Sequence, residues 1–398
     1  MSISDATLGA STRTGITAGE YRERVDRVRD EAVSRGLDGI VAWSKGGGAL
    51  DRYANVLYLT NHYSVFPDLP DQPPYWVGHS NVAAIITRDG ESILVTDVPA
   101  DPELVVADRI LVEADVPGAV GAELDALGLR GRRVGLAGSD AITLERWQLL
   151  KAASPDVAWT VADDILARLR RVKSAAEQAI IRQAVAVGDR VVGALLDAAV
   201  AGATEAEVAA SALHAAALAG ASVLDLPASS GPYAGDFAHG TLPSWTGREL
   251  QAGDLYHSDA YGSLQGYFFD FGRTTVIGGD PSAEQERLIA GAIAAVDAAI
   301  DGLVPGSTFG DAYERAAGAI TGAGLALGFP SFGHGIGLTF ESPWITPRSP
   351  ELINEGYALA VEAIVTLDGV GTAVHEHNLL IGPDGPEILS TTPERPWL

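Results

Sequence analysis

The sequence predicts two domains, an α/β domain followed by an α+β domain, on three observations. The chain has 398 residues, enough for about two domains of ~150–200 residues each. Short apolar runs alternate with helical patterns up to about residue 160, as in an α/β domain. Beyond residue 161, long helical patterns are separated by groups of β-type runs, as in an α+β domain. We therefore expect one domain over 18–160 and a second over 161–398.

The first domain begins with an amphipathic pattern. Tyr21, Val25 and Val28 are spaced for one helical face, and Gly36 ends the predicted helix over 18–36. A Pro-rich stretch over 66–76 predicts a loop longer than a compact domain needs, so we expect it to cover a site. Apolar runs predict strands at 39–43, 56–60, 82–87, 93–96, 110–112 and 134–137, and a helical pattern covers 141–153.

The second domain begins with helical patterns and continues with strands. The sequence predicts one continuous helix over 161–201 and another over 204–220. Strands and turns follow over 223–278, and helices return at 282–301 and 309–326. The last β-type runs lie at 357–366, 373–381 and 386–390. These strands hold most of the polar residues that interrupt apolar runs.

Composition excludes several classes of function. There is no cysteine, which excludes disulfides, thiolate metal sites and cysteine nucleophiles. With 27 Lys+Arg against 52 Asp+Glu, the formal net charge is −25, so nucleic acid is not an expected partner. No apolar run is long enough to span a membrane, and the first residues lack a targeting pattern. We expect a cytoplasmic protein.

The first candidate site residues are Asp259 and Asp270. Two strands joined near 262–266 would place them side by side on a β-hairpin. Adjacent carboxylates repel each other, and a divalent cation is the usual compensation. The alternative is a pair of solvent-facing acids on a β-ribbon.

Three further residues interrupt apolar or Gly-rich segments. His334 lies between two glycines, which allow the backbone to approach a ligand closely, although a loop histidine is the alternative. Glu362 and Glu376 lie in apolar strands, where a carboxylate is costly unless it is paired or bound to metal. His375 and His377 should point to the face opposite Glu376.

Together these residues suit a metal centre. Two Asp, one His and two Glu form an oxygen-rich ligand set with one imidazole. That set fits two divalent ions such as Mn²⁺, Co²⁺, Fe²⁺ or Zn²⁺.

The order of these residues resembles the "pita-bread" metallopeptidases: methionine aminopeptidase, Xaa-Pro aminopeptidase, prolidase and creatinase. The Asp–Asp spacing of 11, the GHGIG motif at 333–337 and the two Glu in strands carry the resemblance. The segment RVKSAAE at 171–177 is similar to the one that opens the catalytic domain of two-domain members. The likeness extends weakly to 55–60, which resembles a strand of the N-terminal creatinase-like domain. It implies a creatinase-like domain followed by a pita-bread catalytic domain.

The resemblance also implies a role for each site residue. Asp259 would bind one metal ion, His334 and Glu362 the other, and Asp270 and Glu376 would bridge them. A hydroxide between the ions would be the nucleophile, with Glu362 as general base. His239 matches a substrate-contacting histidine of the family, with a loop residue as the alternative.

Two positions depart from the family pattern. Where peptidase members have a His-Glu-x-Pro stretch, this chain has Phe-Glu-Ser-Pro at 340–343, so Phe340 replaces the histidine. Phe cannot donate to a substrate amide or oxyanion, and a lost donor typically costs about 10²–10³ in rate. His257 shares a strand face with Asp259, so it would support a ligand or add one, with a purely structural role as the alternative. Trp344 and Tyr233 complete a candidate substrate pocket with Phe340.

The expected function is metal-dependent hydrolysis of peptide or amide C–N bonds, of Xaa-Pro aminopeptidase or dipeptidase type. Phe340 keeps an alternative open: a lyase like the dimethylsulfoniopropionate lyases, or a small-amide hydrolase like creatinase and ectoine hydrolase. Aromatic faces near carboxylates would favour a cationic ligand. A non-catalytic binding protein is a third alternative. The resemblance implies a homodimer acting on a short peptide or small molecule.

Overall fold

The fold is described by a computed structural model that covers residues 15–46, 52–64, 66, 69, 79–236 and 242–396. The chain divides into two compact units, Met1–Arg170 and Arg171–Leu398. The domain limits inferred from the sequence, 18–160 and 161–398, stay predictions. In the described part of the chain, no helix combines the length and apolarity needed to cross a bilayer.

The N-terminal unit is a mixed six-stranded sheet with helices. Its strand order is β4-β3-β2-β1-β5-β6. Neighbouring strands β1 and β2 are antiparallel, whereas β1 and β5 are parallel. The core packs Val41, Trp43 and Ile85 of the sheet against Val120 and Leu124. The elements are α1 Ala18–Ser34, β1 Gly39–Lys45, α2 Ala54–Thr60, β2 Asn81–Thr87, β3 Ser92–Thr96, β4 Arg109–Val112, α3 Val116–Ala126, β5 Arg133–Ala137, α4 Leu144–Ala153, β6 Ala158–Val161 and α5 Asp163–Arg171.

Most predicted elements of this unit are confirmed, but the strand predicted at 56–60 is wrong. The segment forms helix α2. A short apolar run does not distinguish a buried strand from a buried helix by its periodicity, and almost every residue of α2 is buried. Asn61, at φ 58, ends the helix with its backbone N–H bonded to Leu57. The 66–76 stretch lies outside the described residues except for Phe66 and Leu69.

The C-terminal unit contains two antiparallel sheets. One has the order β10-β9-β7, with β8 also paired to β9, and the other has the order β13-β12-β14-β15-β16, with β11 paired to β14. Helices α8 and α9 pack on the second sheet around a core that includes Phe309 and Leu359. The elements are α6 Ala175–Ala198, α7 Glu205–Leu218, β7 Ser222–Asp225, β8 Ala228–Ser230, β9 Leu255–Leu264, β10 Tyr267–Val276, α8 Ala283–Gly302, α9 Phe309–Ala323, β11 Ala326–Leu327, β12 His334–Ile336, β13 Phe340–Trp344, β14 Ala358–Leu367, β15 Gly371–Gly382 and β16 Gly385–Ile388.

The continuous helix predicted over 161–201 is wrong, because the segment is divided between β6, α5 and α6. Between the helices, Lys173 donates its backbone N–H to Gly356, which takes this residue out of helical hydrogen bonding. Ser174 then caps α6 in a reciprocal pair with Glu177. The capping pair lies within an otherwise helical composition, so the apolar period alone does not reveal the break.

Candidate metal centre

The β9–β10 hairpin brings Asp259 and Asp270 onto one face, as the sequence predicts. The strands are joined by Gln265 and Gly266, both at positive φ, as in a tight two-residue hairpin turn. Asp259 lies opposite Gly272, and Asp270 lies opposite Tyr261 two residues along. The two aspartates are therefore diagonal neighbours across the hairpin.

The second sheet supplies the other three residues. Glu362 and Glu376 lie directly opposite each other on β14 and β15. His334 begins β12 and lies opposite Ala360, two residues before Glu362 on β14. Gly333 makes this approach possible, since a Cβ atom there would lie 2.1 Å from the carbonyl oxygen of Ala360 and its φ is 124°.

Four carboxylates and one imidazole thus converge. Carboxylate oxygens of Asp259, Asp270 and Glu376 all lie within 4.8 Å of one another. His334 Nε2 lies 3.4 Å from Asp270 Oδ2. Asp270, Glu362 and Glu376 are 4%, 7% and 1% exposed, so water solvates them poorly.

The pKa values of all four carboxyls are raised. Removal from water is the largest cause for each, and it raises the pKa of Asp259 to about 6 and that of Glu362 to about 7. For Asp270 and Glu376 the pKa is well above its ordinary value, because neighbouring carboxylates add repulsion to burial. His334 acts in the opposite direction on Asp259 and Glu362.

The cluster fits divalent cations. Asp259 Oδ1, Asp270 Oδ1 and Glu376 Oε1 are buried and accept no hydrogen bond from the described residues. Buried carboxylate oxygens without a donor are costly, and a cation is the group that would satisfy all three together. Oxygen ligands with one imidazole suit Mn²⁺, Fe²⁺, Co²⁺ or Zn²⁺.

Backbone groups hold this arrangement in place. The backbone N–H of Gly272 donates to Glu376 Oε2 at 2.6 Å. A Cβ atom at residue 272 would lie 2.3 Å from Val374 Cγ2, so only glycine allows the two strands to approach this closely. The buried Arg273 donates to the backbone carbonyl of Glu376. Gly272 and Arg273 are not among the residues predicted from the sequence, although both follow Asp270 closely on an apolar strand.

His257 is fully buried on β9, two residues before Asp259. Its Nδ1 lies 2.9 Å from the carbonyl oxygen of Thr372, so the ring links β9 to β15. This contact accounts for one ring nitrogen without a metal, and a supporting or ligand role for His257 stays a prediction.

Aromatic rings border His334 on two sides. The ring centroid of Phe340 lies 4.9 Å from that of His334, and the centroid of Trp344 lies 4.8 Å from it. Phe340 also meets Tyr261 and Phe268 edge-on. Phe340 and Trp344 keep 36% and 38% of their surface exposed, so they offer apolar surface beside the cluster.

The remaining candidates are placed differently. Tyr233 lies in the 3₁₀ turn Gly231–Tyr233 and is 56% exposed. His239 lies outside the described residues. His375 and His377 flank Glu376 on β15 and form a separate group with each other, as strand alternation predicts. Burial lowers the pKa of His377 to about 4 and that of His375 well below its ordinary value.

Comparison with protein families shows two matched regions. Residues 179–383 match the model of Metallopeptidase family M24. Residues 24–172 match the Creatinase/Prolidase N-terminal domain.

Comparison with individual proteins points the same way. The chain is 33% identical over 237 residues to a probable dipeptidase PepE of Mycobacterium tuberculosis, covering 58% of this chain and 62% of the relative. The match therefore spans less than two thirds of that relative's length. An Xaa-Pro dipeptidase of Pyrococcus horikoshii is 28% identical over 234 residues, covering 58% of this chain and 65% of the relative.

Solved structures share the whole fold. Dipeptidase PepE from Mycobacterium ulcerans superposes with a TM-score of 0.77 at 26% identity, covering 96% of this chain and 98% of its own. An Xaa-Pro dipeptidase from Bacillus anthracis superposes with a TM-score of 0.78 at 22% identity, covering 94% and 98%. The second likeness, at this identity, concerns the fold alone.

Proposed function

Because the chain belongs to metallopeptidase family M24, we propose that it is a divalent-metal-dependent hydrolase of C–N bonds, of Xaa-Pro dipeptidase or aminopeptidase type. Its fold class is the one inferred from the sequence, a creatinase-like N-terminal domain followed by a pita-bread catalytic domain. Two relatives, a probable dipeptidase PepE and an Xaa-Pro dipeptidase, support the substrate class.

One observation carries the proposal: three buried carboxylate oxygens without hydrogen-bond donors in the described structure converge from Asp259, Asp270 and Glu376. Glu362, directly opposite Glu376, adds a fourth carboxyl to the same place. Divalent ions held there would polarise a scissile carbonyl and make a water acidic enough to attack near neutral pH.

The proposed roles are those that the family resemblance implies. Asp259 would hold one ion, and His334 with Glu362 the other, while Asp270 and Glu376 would contact both. Glu362 is also the proposed general base, a role that the family resemblance implies. His239 stays a proposed substrate contact.

The aromatic border favours a second candidate function. Phe340 offers a ring, and no donor, next to His334. A small zwitterion or cation would gain from this ring and from the negative charge beside it. The second candidate is therefore a lyase or small-amide hydrolase that uses the same cluster.

A substrate panel tests these proposals. The protein would be loaded with Mn²⁺, Fe²⁺ or Zn²⁺ and assayed with Xaa-Pro peptides, creatine, ectoine, and betaine or sulfonium compounds. We expect turnover of Xaa-Pro peptides that is lost in Asp270→Asn and kept in the control Asp368→Asn, an exposed acid in the turn after β14. Retained turnover in Asp270→Asn would refute the site. The proposal includes two ions per chain, a homodimer and a cytoplasmic location, which metal analysis, light scattering and cell fractionation would test.

A further inference from the structure

A second group of metal-ligating side chains lies on the other face of β15. His375 and His377 are two residues apart, so they share the face opposite Glu376. Both are buried, at 2% and 5% exposure. Glu394 approaches from the C-terminal segment, and one ligand atom from each of the three residues lies within 4.8 Å of the other two.

Hydrogen bonding explains this group poorly. The two Nε2 atoms face each other at 3.3 Å, and His377 Nε2 also lies 3.7 Å from Glu394 Oε1. A single ring nitrogen carries at most one proton, so Nε2 of His377 cannot serve both contacts equally. His377 Nδ1 is buried without a partner in the described part of the chain, so both polar contacts of this ring are made by Nε2.

The distances agree with tetrahedral coordination. Two nitrogen ligands at about 2.0–2.1 Å from a tetrahedral Zn²⁺ ion lie about 3.3–3.4 Å apart. The separation of the two histidine nitrogens, 3.3 Å, matches that edge. The 3.7 Å separation from Glu394 is only slightly longer, and the side chain of Glu394 is 41% exposed and has room to adjust.

Charges of both signs surround the group. Arg273 and Arg395 oppose a cation, but Arg395 pairs with Glu286 at 3.2 Å and Arg273 donates to backbone carbonyls, including that of Thr392. Asp189 adds negative charge near His377. With Glu394, it offsets the two arginines.

We propose that His375, His377 and Glu394 bind one Zn²⁺ ion, with water in the fourth position. Imidazole-rich tetrahedral sites are typical of zinc. This ion would join the C-terminal segment to the strand that carries Glu376, and so would stabilise the fold behind the carboxylate cluster. The site does not depend on the proposed catalytic function.

Zinc content per chain tests the proposal. The wild type and the variants His377→Asn and Glu394→Gln would be loaded with zinc and separated from unbound metal. Elemental analysis would then give the zinc content of each per chain. We expect each variant to hold about one zinc fewer, because losing one of three ligands weakens zinc binding by roughly a hundredfold or more. Matched controls are His214→Asn and Glu355→Gln, both exposed, which should keep the wild-type content.

Two further measurements make the result decisive. In the background Asp259→Asn/Asp270→Asn, about one zinc should remain, and adding Glu394→Gln should remove it, which separates this site from the carboxylate cluster. With Co²⁺ in place of zinc, that background should show the strong visible absorption of four-coordinate cobalt. Equal zinc content and affinity in wild type and Glu394→Gln, a change at a half-exposed side chain that should not prevent folding, would overturn the proposal.

Discussion

Glu362 and Glu376 face each other at the same position of the β14–β15 register, and both are buried. Like charges directly opposite on antiparallel strands destabilise a sheet, and burial increases the cost. Without a bound cation, this pair of carboxylates therefore lowers the stability of the folded protein. A cation between them would turn the repulsion into attraction.

Stability of the metal-free protein should fall as pH rises from about 4 to about 7. Burial raises the pKa of Asp259 from 3.8 to about 6 and that of Glu362 from 4.5 to about 7. At the four carboxyls the folded state binds more protons in this range than the unfolded state, so raising the pH favours unfolding through them. His375 and His377, whose pKa values are lowered, act in the opposite direction below about 6.5, but they are two groups against four. Thermal unfolding of EDTA-treated protein between pH 4.5 and 7.5 measures the effect. Excess Mn²⁺ should flatten the slope, and an equal slope in Glu362→Gln would contradict this origin.

The substitution Glu376→Gln should stabilise the metal-free protein while weakening metal binding. It removes one charge from the cluster but keeps an oxygen that can accept from the backbone N–H of Gly272. We expect the melting temperature to rise by a few degrees in EDTA, where ~1 kcal/mol corresponds to roughly 2–4 °C for large domains. When Mn²⁺ is added, the melting temperature of the wild type should rise, and that of the variant should rise less because it binds the metal more weakly. The control is Glu355→Gln, which should change neither value.

Introducing a donor at residue 340 should reveal which substrate the site serves. If the protein hydrolyses Xaa-Pro peptides, Phe340→His should raise their turnover by up to about 10²-fold, since one oxyanion donor is worth about 10²–10³. Phe340→Leu is the control, because it removes the ring beside His334 without adding a donor. Unchanged peptide turnover in Phe340→His, with loss of activity on a betaine or sulfonium compound, would favour the second candidate function.

The buried ion pair of Lys173 and Glu341 should be costly to break from one side. Their charged atoms lie 2.7 Å apart, and the side chains are 2% and 6% exposed. Lys173→Met would remove the ammonium group that lies beside a buried carboxylate, at a cost of about 3–5 kcal/mol in the free energy of unfolding. Urea denaturation measures this. Breaking the exposed pair of Arg182 and Glu387 with Arg182→Met should cost less than about 1 kcal/mol; similar costs for the two variants would contradict the argument.

The apolar pattern of the sequence was sufficient to predict most helices and strands. It failed where hydrogen bonds to other parts of the chain determine the secondary structure. The amphipathic spacing of Tyr21, Val25 and Val28 predicts α1, which the structure confirms. The apolar run before Asn61 fits either a strand or a helix, and only burial on all sides with a left-handed Asn61 at its end shows the helix. The break between α5 and α6 depends on the bond from Lys173 to Gly356, which is distant in sequence.

The sequence by itself determined which residues are chemically out of place: acids in apolar strands, a histidine between glycines, and a hairpin that carries two aspartates. It could not determine distances between side chains on different sheets, because these depend on packing between segments far apart in the chain. Only the tertiary structure shows that carboxylate oxygens of Asp259, Asp270 and Glu376 come together without hydrogen-bond donors among the described residues. It also decided that Phe340 and Trp344 border His334, and that Glu394 reaches the two histidines behind Glu376.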